Sequence, residues 1–329
     1  MFSNYFHKMF LYNIYKYYVN QFWPLLSFQR LGISLMNIAY PDECSIYHCA
    51  SFCSDINFKI FGEYPSSCLF WNLTFYDTTG AVFLSIEESD FPNHSYEFYI
   101  KDHTVHVQNL EITIPDKYFC IIQRIYSNSI DTIFPTYVPL MVDSTGKNLV
   151  RYISNKHRLK HSNLFEKRFR KFYKLFHSKE SIIQNSYQFC QPPPEKLAKA
   201  FPNPRAIYFV MKPDSIDSII TLQGIRPRIL DRTKIIQYMS IMTSNYETLS
   251  TDQSITINNL PEKYNILVGK KDSLSIRNCE TKEQKVLIWN DDNKKPILVL
   301  RFLLSSFIFE NLQSYRQNLL PYLPNIFVN

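Results

Sequence analysis

The chain has 329 residues, 45% of them apolar and 20% charged, with a net charge of +7. That balance excludes a disordered chain, which lacks apolar surface to bury, and a polytopic membrane protein, which needs repeated unbroken apolar stretches. A soluble globular protein of two domains is expected, each large enough to form a core without disulfide or metal staples.

Aromatic residues reach 16%, with 26 Phe and 23 Tyr, whereas there are only 6 Gly. Neither G-x-x-x-x-G-K-[ST] nor G-x-G-x-x-G occurs, so no loop can cradle phosphate on its backbone amides in those ways. The bias toward Tyr, Phe, Ile, Asn and Lys fits AT-rich coding. Seven cysteines (Cys44, Cys49, Cys53, Cys68, Cys120, Cys190, Cys279) are an odd number and fall at no zinc-ribbon or finger spacing. Structural free thiols are expected, with no metal and no cofactor.

In chain order, residues 1–35 form an aromatic segment in which Phe6, Phe10, Ile14 and Tyr17/Tyr18 recur at helical spacing up to Pro24. Asn13, Lys16, Asn20 and Gln21 interrupt it, so it reads neither as a signal peptide nor as a membrane span. An intracellular protein with no transmembrane segment is the expectation.

Residues 36–142 read as a β unit. Leu69–Tyr76 and Tyr118–Tyr126 are short aromatic and β-branched runs, and Thr104–Val107 alternates as a half-buried strand does. Residues 143–197 form a connector. Between 147 and 179 it holds Lys147, Arg151, Lys156, Arg158, Lys160, Lys167, Arg168, Arg170, Lys171, Lys174 and Lys179 against Glu166 alone. Phe165, Phe169, Phe172 and Phe176 share one helical face, and Lys167, Arg170, Lys171 and Lys174 the opposite one. A connector helix with a solvated basic face accounts for this pattern. The same face also fits an anionic membrane surface or nucleic-acid phosphates. Pro192-Pro193-Pro194 then ends any helix.

Residues 198–308 repeat the first unit. Ala39-Tyr40-Pro41-Asp42 with Ile46-Tyr47 matches Ala200-Phe201-Pro202-Asn203 with Ile207-Tyr208, and Gly62 with Pro65 matches Gly224 with Pro227. Trp71-Asn72-Leu73-Thr74 aligns with Tyr238-Met239-Ser240-Ile241, Ser85-Ile86 with Ser254-Ile255, and Tyr96 with Tyr264. Ile121 to Ile125, containing Arg124, aligns with Leu298 to Phe302, containing Arg301. Leu287–Asn290, Ile297–Leu304 and Ser273–Ile276 supply further strands, and 309–329 is left as a C-terminal tail. No crossover helix is evident inside either unit. The fold class is therefore mainly β: two tandem β-sandwich or jelly-roll-like units joined by a basic helical connector, with a helical N-terminal segment.

These landmarks carry a resemblance. Phe70-Trp71-Asn72-Leu73-Thr74-Phe75-Tyr76-Asp77-x-x-Gly80, followed by Phe119 to Tyr126 ending in Arg-Ile-Tyr, resembles the W-S-x-T-x-Y-D-x-x-G … V-x-R-x-Y pattern of a bacterial family of paired β-sandwiches. That family is catalogued as domains of unknown function 1254 and 1214. The likeness covers most of 36–142 and, more faintly, 198–308, where Tyr238 replaces Trp71 and no Asp follows at the position of Asp77. It implies a fold and no activity.

Candidate chemistry is sparse. Arg124 and Arg301 stand at matching places in apolar strands, where a guanidinium must either bind an anion or find a partner within the protein. Tyr47 and Tyr208 are matched candidates beside them. His103-x-x-His106 lies in a strand pattern and lacks a third ligand apart from Asp102 or His94. His48 beside Cys49 has no orienting acid, and Glu87-Glu88-Ser89-Asp90 reads as a solvated turn. Two N-glycosylation sequons occur, at Asn72 and Asn93, the former inside a strand. No reaction is identified. A non-enzymatic structural or binding protein leads, ahead of a hydrolase-type enzyme or association through residues 151–179 with a membrane surface or nucleic acid.

Overall fold

The computed structural model describes residues 29–31, 42–77, 81–127, 139–143, 145–146, 187–191, 203–227, 236–245, 250–272, 284–304 and 317–328. The expected N-terminal helix, the basic helix with Lys167, Arg170, Lys171 and Lys174, the triple proline and the Ser273–Ile276 strand lie outside these residues.

Within them the chain is mainly β and divides into two units. In the first, β1 (Gln29–Leu31), β2 (Ser45–Cys53), β4 (Phe70–Tyr76), β5 (Val82–Glu87) and β9 (Tyr118–Tyr126) form a sheet in the order β1-β2-β9-β4-β5. A second sheet runs β10-β3-β6-β7-β8, from β3 (Phe58–Glu63), β6 (Ser95–Lys101), β7 (Thr104–Val107), β8 (Leu110–Thr113) and β10 (Leu140–Asp143). One core joins the two sheets, with Ile46, Phe52, Trp71, Leu73, Phe75, Ile121 and Ile125 from the first against Phe58, Ile60, Tyr96, Phe98, Ile100 and Val105 from the second. The period of two that puts them there is plainest in β6, where Tyr96, Phe98 and Ile100 are buried and Ser95, Glu97, Tyr99 and Lys101 exposed. Asp102 and His103, both at positive φ, make the two-residue turn from β6 to β7, as a tight hairpin requires.

The second unit contains β11 (Ala206–Met211), β12 (Ile220–Ile225), β13 (Ile236–Asn245), β14 (Thr251–Thr256), β15 (Lys263–Lys270), β16 (Gln284–Trp289), β17 (Pro296–Leu304) and β18 (Asn325–Val328). Its sheets run β11-β17-β13-β14 and β16-β15-β12-β18. Strand for strand this is the order of the first unit, with β11, β17, β13 and β14 standing where β2, β9, β4 and β5 stand, and β18, β12 and β15 where β10, β3 and β6 stand. The correspondence reaches beyond the boundaries read from sequence. Gln29 pairs with Cys49 and Cys190 with Val210, at one constant spacing of the two copies. The stretch 309–329, set apart as a tail, supplies the edge strand β18, which pairs with β12 as β10 does with β3. One difference is topological: β16 runs parallel to β15 at the place where β7 runs antiparallel to β6.

The register corrects the alignment of one strand. Asn72 pairs with Arg124 and Ser240 with Arg301, so Trp71 corresponds to Met239, and Tyr238 stands where Phe70 does. The sequence alignment of Trp71 with Tyr238 is off by one. A slip of one in a strand exchanges its faces: Trp71 and Met239 both point into their cores, while Phe70 and Tyr238 lie on the opposite face.

The repeated glycines have a packing cause. Gly62 pairs with Tyr96 across the strands and Gly224 with Tyr264. A Cβ at either glycine would fall on the ring and hydroxyl of that tyrosine. The buried aromatic lies flat over the bare backbone in each unit, so each glycine is required by its neighbour.

Candidate functional site

Alternation along β17 sends Leu300 and Phe302 into the second core and Arg301 out of the opposite face, where the whole strand is nevertheless buried. The register places Tyr208 of β11 and Ser240 of β13 on either side of Arg301. The Tyr208 ring lies 5.3 Å from the guanidinium. The counter-ion is Asp42: Arg301 Nη1 donates to Asp42 Oδ2 at 2.9 Å, and both side chains are 0% exposed. Ser240 Oγ donates to the same oxygen at 3.0 Å. Residues 42–45 belong to the second unit, although in sequence they lead into β2 of the first.

The residues around Asp42 hold it in a tight turn. Asp42 Oδ1 accepts from the Cys44 backbone N–H at 3.1 Å, and the Ser45 N–H donates to the Asp42 carbonyl at 3.3 Å. Glu43 N–H donates to Ser254 Oγ at 2.9 Å, and Asn259 Nδ2 to Glu43 Oε1 at 3.3 Å. Burial pushes the Tyr238 hydroxyl well above its ordinary pKa, and the neighbouring Asp42 charge adds to the shift. Burial and then the same charge push the Cys44 thiol up to about 11.

The matching position in the first unit is built from hydroxyls. Arg124 Nη1 donates to Thr74 Oγ1 at 3.1 Å and Nη2 to the Tyr76 hydroxyl at 2.7 Å. The Tyr47 ring stands 5.9 Å from the guanidinium, and its hydroxyl shares a 3.1 Å hydrogen bond with that of Tyr126. Tyr76 is fully buried, which drives its pKa up, with the Arg124 charge offsetting part of the rise. All four residues singled out in the sequence thus gather as two arginine–tyrosine pairs, Arg124 with Tyr47 and Arg301 with Tyr208.

Other sequence candidates have structural uses. Glu87 is buried and not solvated as expected of this turn: the Glu87 N–H donates to Asp90 at 2.8 Å, and Glu88 accepts from the Trp71 N–H at 3.1 Å. His106 pairs with Glu111 at 3.2 Å. The Asn72 sequon is sealed inside β4, its amide donating to Thr74 at 3.0 Å. His48 bonds Gln123 at 2.9 Å, and Gln123 Nε2 donates to the Tyr96 hydroxyl at 3.3 Å, a buried polar chain that no sequence pattern announced. Sequence reading also missed Ser54 Oγ at 2.8 Å from His103 Nδ1, with Asp55 4.0 Å from the same nitrogen. A catalytic triad needs the acid on the other ring nitrogen. Ser54 is buried and its hydroxyl also faces the Lys117 carbonyl at 3.2 Å, so these contacts tie turns together. Among the described residues, Cys44, Cys68 and Cys190 are free thiols, no group of three His, Cys, Asp or Glu could hold a metal, and no helix is long and apolar enough to cross a membrane.

No family model and no curated protein matches the chain. Solved structures do. An uncharacterized protein from Burkholderia cenocepacia aligns with a TM-score of 0.63 at 8% identity, over 92% of this chain and 81% of that one. The VPA0106 protein from Vibrio parahaemolyticus aligns with a TM-score of 0.53 at 10% identity, over 97% of this chain and 96% of that one. Identities this low show a shared fold and nothing of activity.

Proposed function

We propose that this is a non-enzymatic structural or binding protein built from a duplicated β-sandwich. The observation that carries the reading is the use made of the two matched arginines. Each is buried on its sheet, stacked with a tyrosine and hydrogen-bonded to groups of its own chain, as an internal fastener is and a ligand hook is not. On the Trp71 to Tyr76 and Arg124 motifs alone we also propose membership of the paired sandwiches catalogued as domains of unknown function 1254 and 1214.

The test is turnover. Purified full-length protein, with chelator present, is expected to leave ester, phosphoester, glycoside and peptide substrates at the buffer rate. Hydrolysis that disappears in Ser54→Ala or His103→Asn, with folding intact, would overturn the reading and make the Ser54–His103 contact an active site.

A further inference from the structure

We propose that the Arg301 face of the second unit is a preformed carboxylate receptor, and that the Asp42 turn is its built-in ligand, a strap seated in the receptor by charge. Three observations lead there. The first is the composition of the slot: a guanidinium donor and a hydroxyl donor converge on one oxygen of Asp42, at 2.9 and 3.0 Å, beneath an aromatic ring. This is the donor set that recognises a carboxylate. The second is that strands position the donors. Arg301 and Ser240 are cross-strand partners in the middle of β17 and β13, and Tyr208 faces Arg301 from β11. Their backbone positions are set by the pairing of β11, β17 and β13.

The third is the comparison inside the chain. Asn203 begins β11 as Asp42 begins β2, and it makes the same turn: its Oδ1 accepts from the Arg205 N–H at 3.0 Å and its carbonyl from the Ala206 N–H at 3.0 Å. An amide therefore suffices for the turn. The charge at Asp42 serves the second purpose alone, which is to enter the receptor.

Chemical rescue separates a receptor from mere packing. Asp42→Ala in the full chain removes the ligand and leaves a slot the size of a small carboxylate. Its melting temperature is expected to fall by roughly 10 °C, because a buried guanidinium loses the Asp42 carboxylate. Sodium formate at about 0.3 M should recover several degrees more than sodium chloride of equal ionic strength. Wild type should not distinguish the two salts, since the tethered carboxylate outcompetes a free one. The formate preference should vanish in Asp42→Ala/Arg301→Met. Equal effects of formate and chloride on Asp42→Ala, or a preference that survives loss of Arg301, would overturn the proposal.

If Asp42→Ala does not fold in chloride, refolding in formate decides the matter: recovery there supports the receptor, and failure in both salts overturns it. Asp42→Asn supplies an independent arm. It keeps the turn and fills the slot without charge, so it should melt well below wild type and ignore formate. An Asn variant as stable as wild type would show that charge does not seat the strap.

Discussion

The two units share a strand order and differ in what they bury. Inside the first, His48, Gln123 and Tyr96 form a hydrogen-bonded polar chain in an otherwise apolar core. At the corresponding places the second unit has Phe209, Leu300 and Tyr264, with no hydrogen-bond partner described for the Tyr264 hydroxyl. On the opposite face of the same strands the contrast reverses. In the first unit Arg124 donates to the Thr74 and Tyr76 hydroxyls, whereas in the second Arg301 donates to the Asp42 carboxylate. A β-sandwich scaffold thus accepts polar groups on either face of its central strands provided each is answered locally. The answer is written separately in each copy.

The buried ion pair should give the largest effects. Arg301→Met strands Asp42 without its cation and should cost about 3–5 kcal/mol, whereas the double change Asp42→Leu/Arg301→Met should recover most of that loss. Arg124→Met removes the donor to the Thr74 and Tyr76 hydroxyls and should cost about 1–3 kcal/mol. Equilibrium denaturation of the four proteins checks the ranking. Equal losses for the two single arginine variants would erase the distinction between charge-matched and hydroxyl-matched sites.

Next come the glycines. Gly62→Ala and Gly224→Ala each push a methyl into a buried tyrosine and should cost about 1–3 kcal/mol. The first should cost more. Its Tyr96 is anchored through Gln123, while Tyr264 has more freedom to give way. A larger loss at Gly224 would mean that ring packing, and not the hydrogen bond, sets the resistance.

These positions also show how far the sequence can be read. The glycine, proline and tyrosine landmarks were legible because a strand that must admit a ring over bare backbone has one residue to use. Alternation placed β7 to the residue, and a run of aromatic and β-branched residues placed β9. The alignment of β4 with β13 slipped by one, because both strands are buried on both faces and neither shows the alternation of polar and apolar residues that would mark the slip. Only the pairing with the arginine strands fixes that register. Arg124, Arg301 and their tyrosines stood out as charged and aromatic repeats. The partner of Arg301 did not, because Asp42 is distant in sequence and appeared only as a landmark of the repeat. The β18 edge strand was missed because its copy, β10, was itself unread.

The tyrosines sharpen the core comparison with a smaller effect. Tyr96→Phe removes the acceptor for Gln123 and should cost about 1 kcal/mol. Tyr264→Phe removes a buried hydroxyl that lacks a described partner and should be neutral or slightly stabilising. Thermal unfolding of the pair separates them, and an equal loss in both would reveal a bond to the Tyr264 hydroxyl.

The subtlest difference lies in the two lead-in turns, where Cys44 occupies the place that Arg205 takes in the second copy. Burial, reinforced by Asp42, lifts the Cys44 thiol from its ordinary 9.0 to about 11. A folded-state pKa above the unfolded one means that the native protein holds the proton more tightly. The stabilisation is therefore complete below pH 9 and is lost as pH rises toward about 11. Wild type should lose more stability across that window than Cys44→Ala. Mass-spectrometric alkylation of the Cys44 peptide should show little reaction at pH 8 and a steep rise only above pH 10. In Asp42→Asn the rise should begin at lower pH, because the largest of the charges that raise the thiol is gone. An unchanged profile in that variant would remove Asp42 from the causes of the shift and detach Cys44 from the charge that distinguishes its turn.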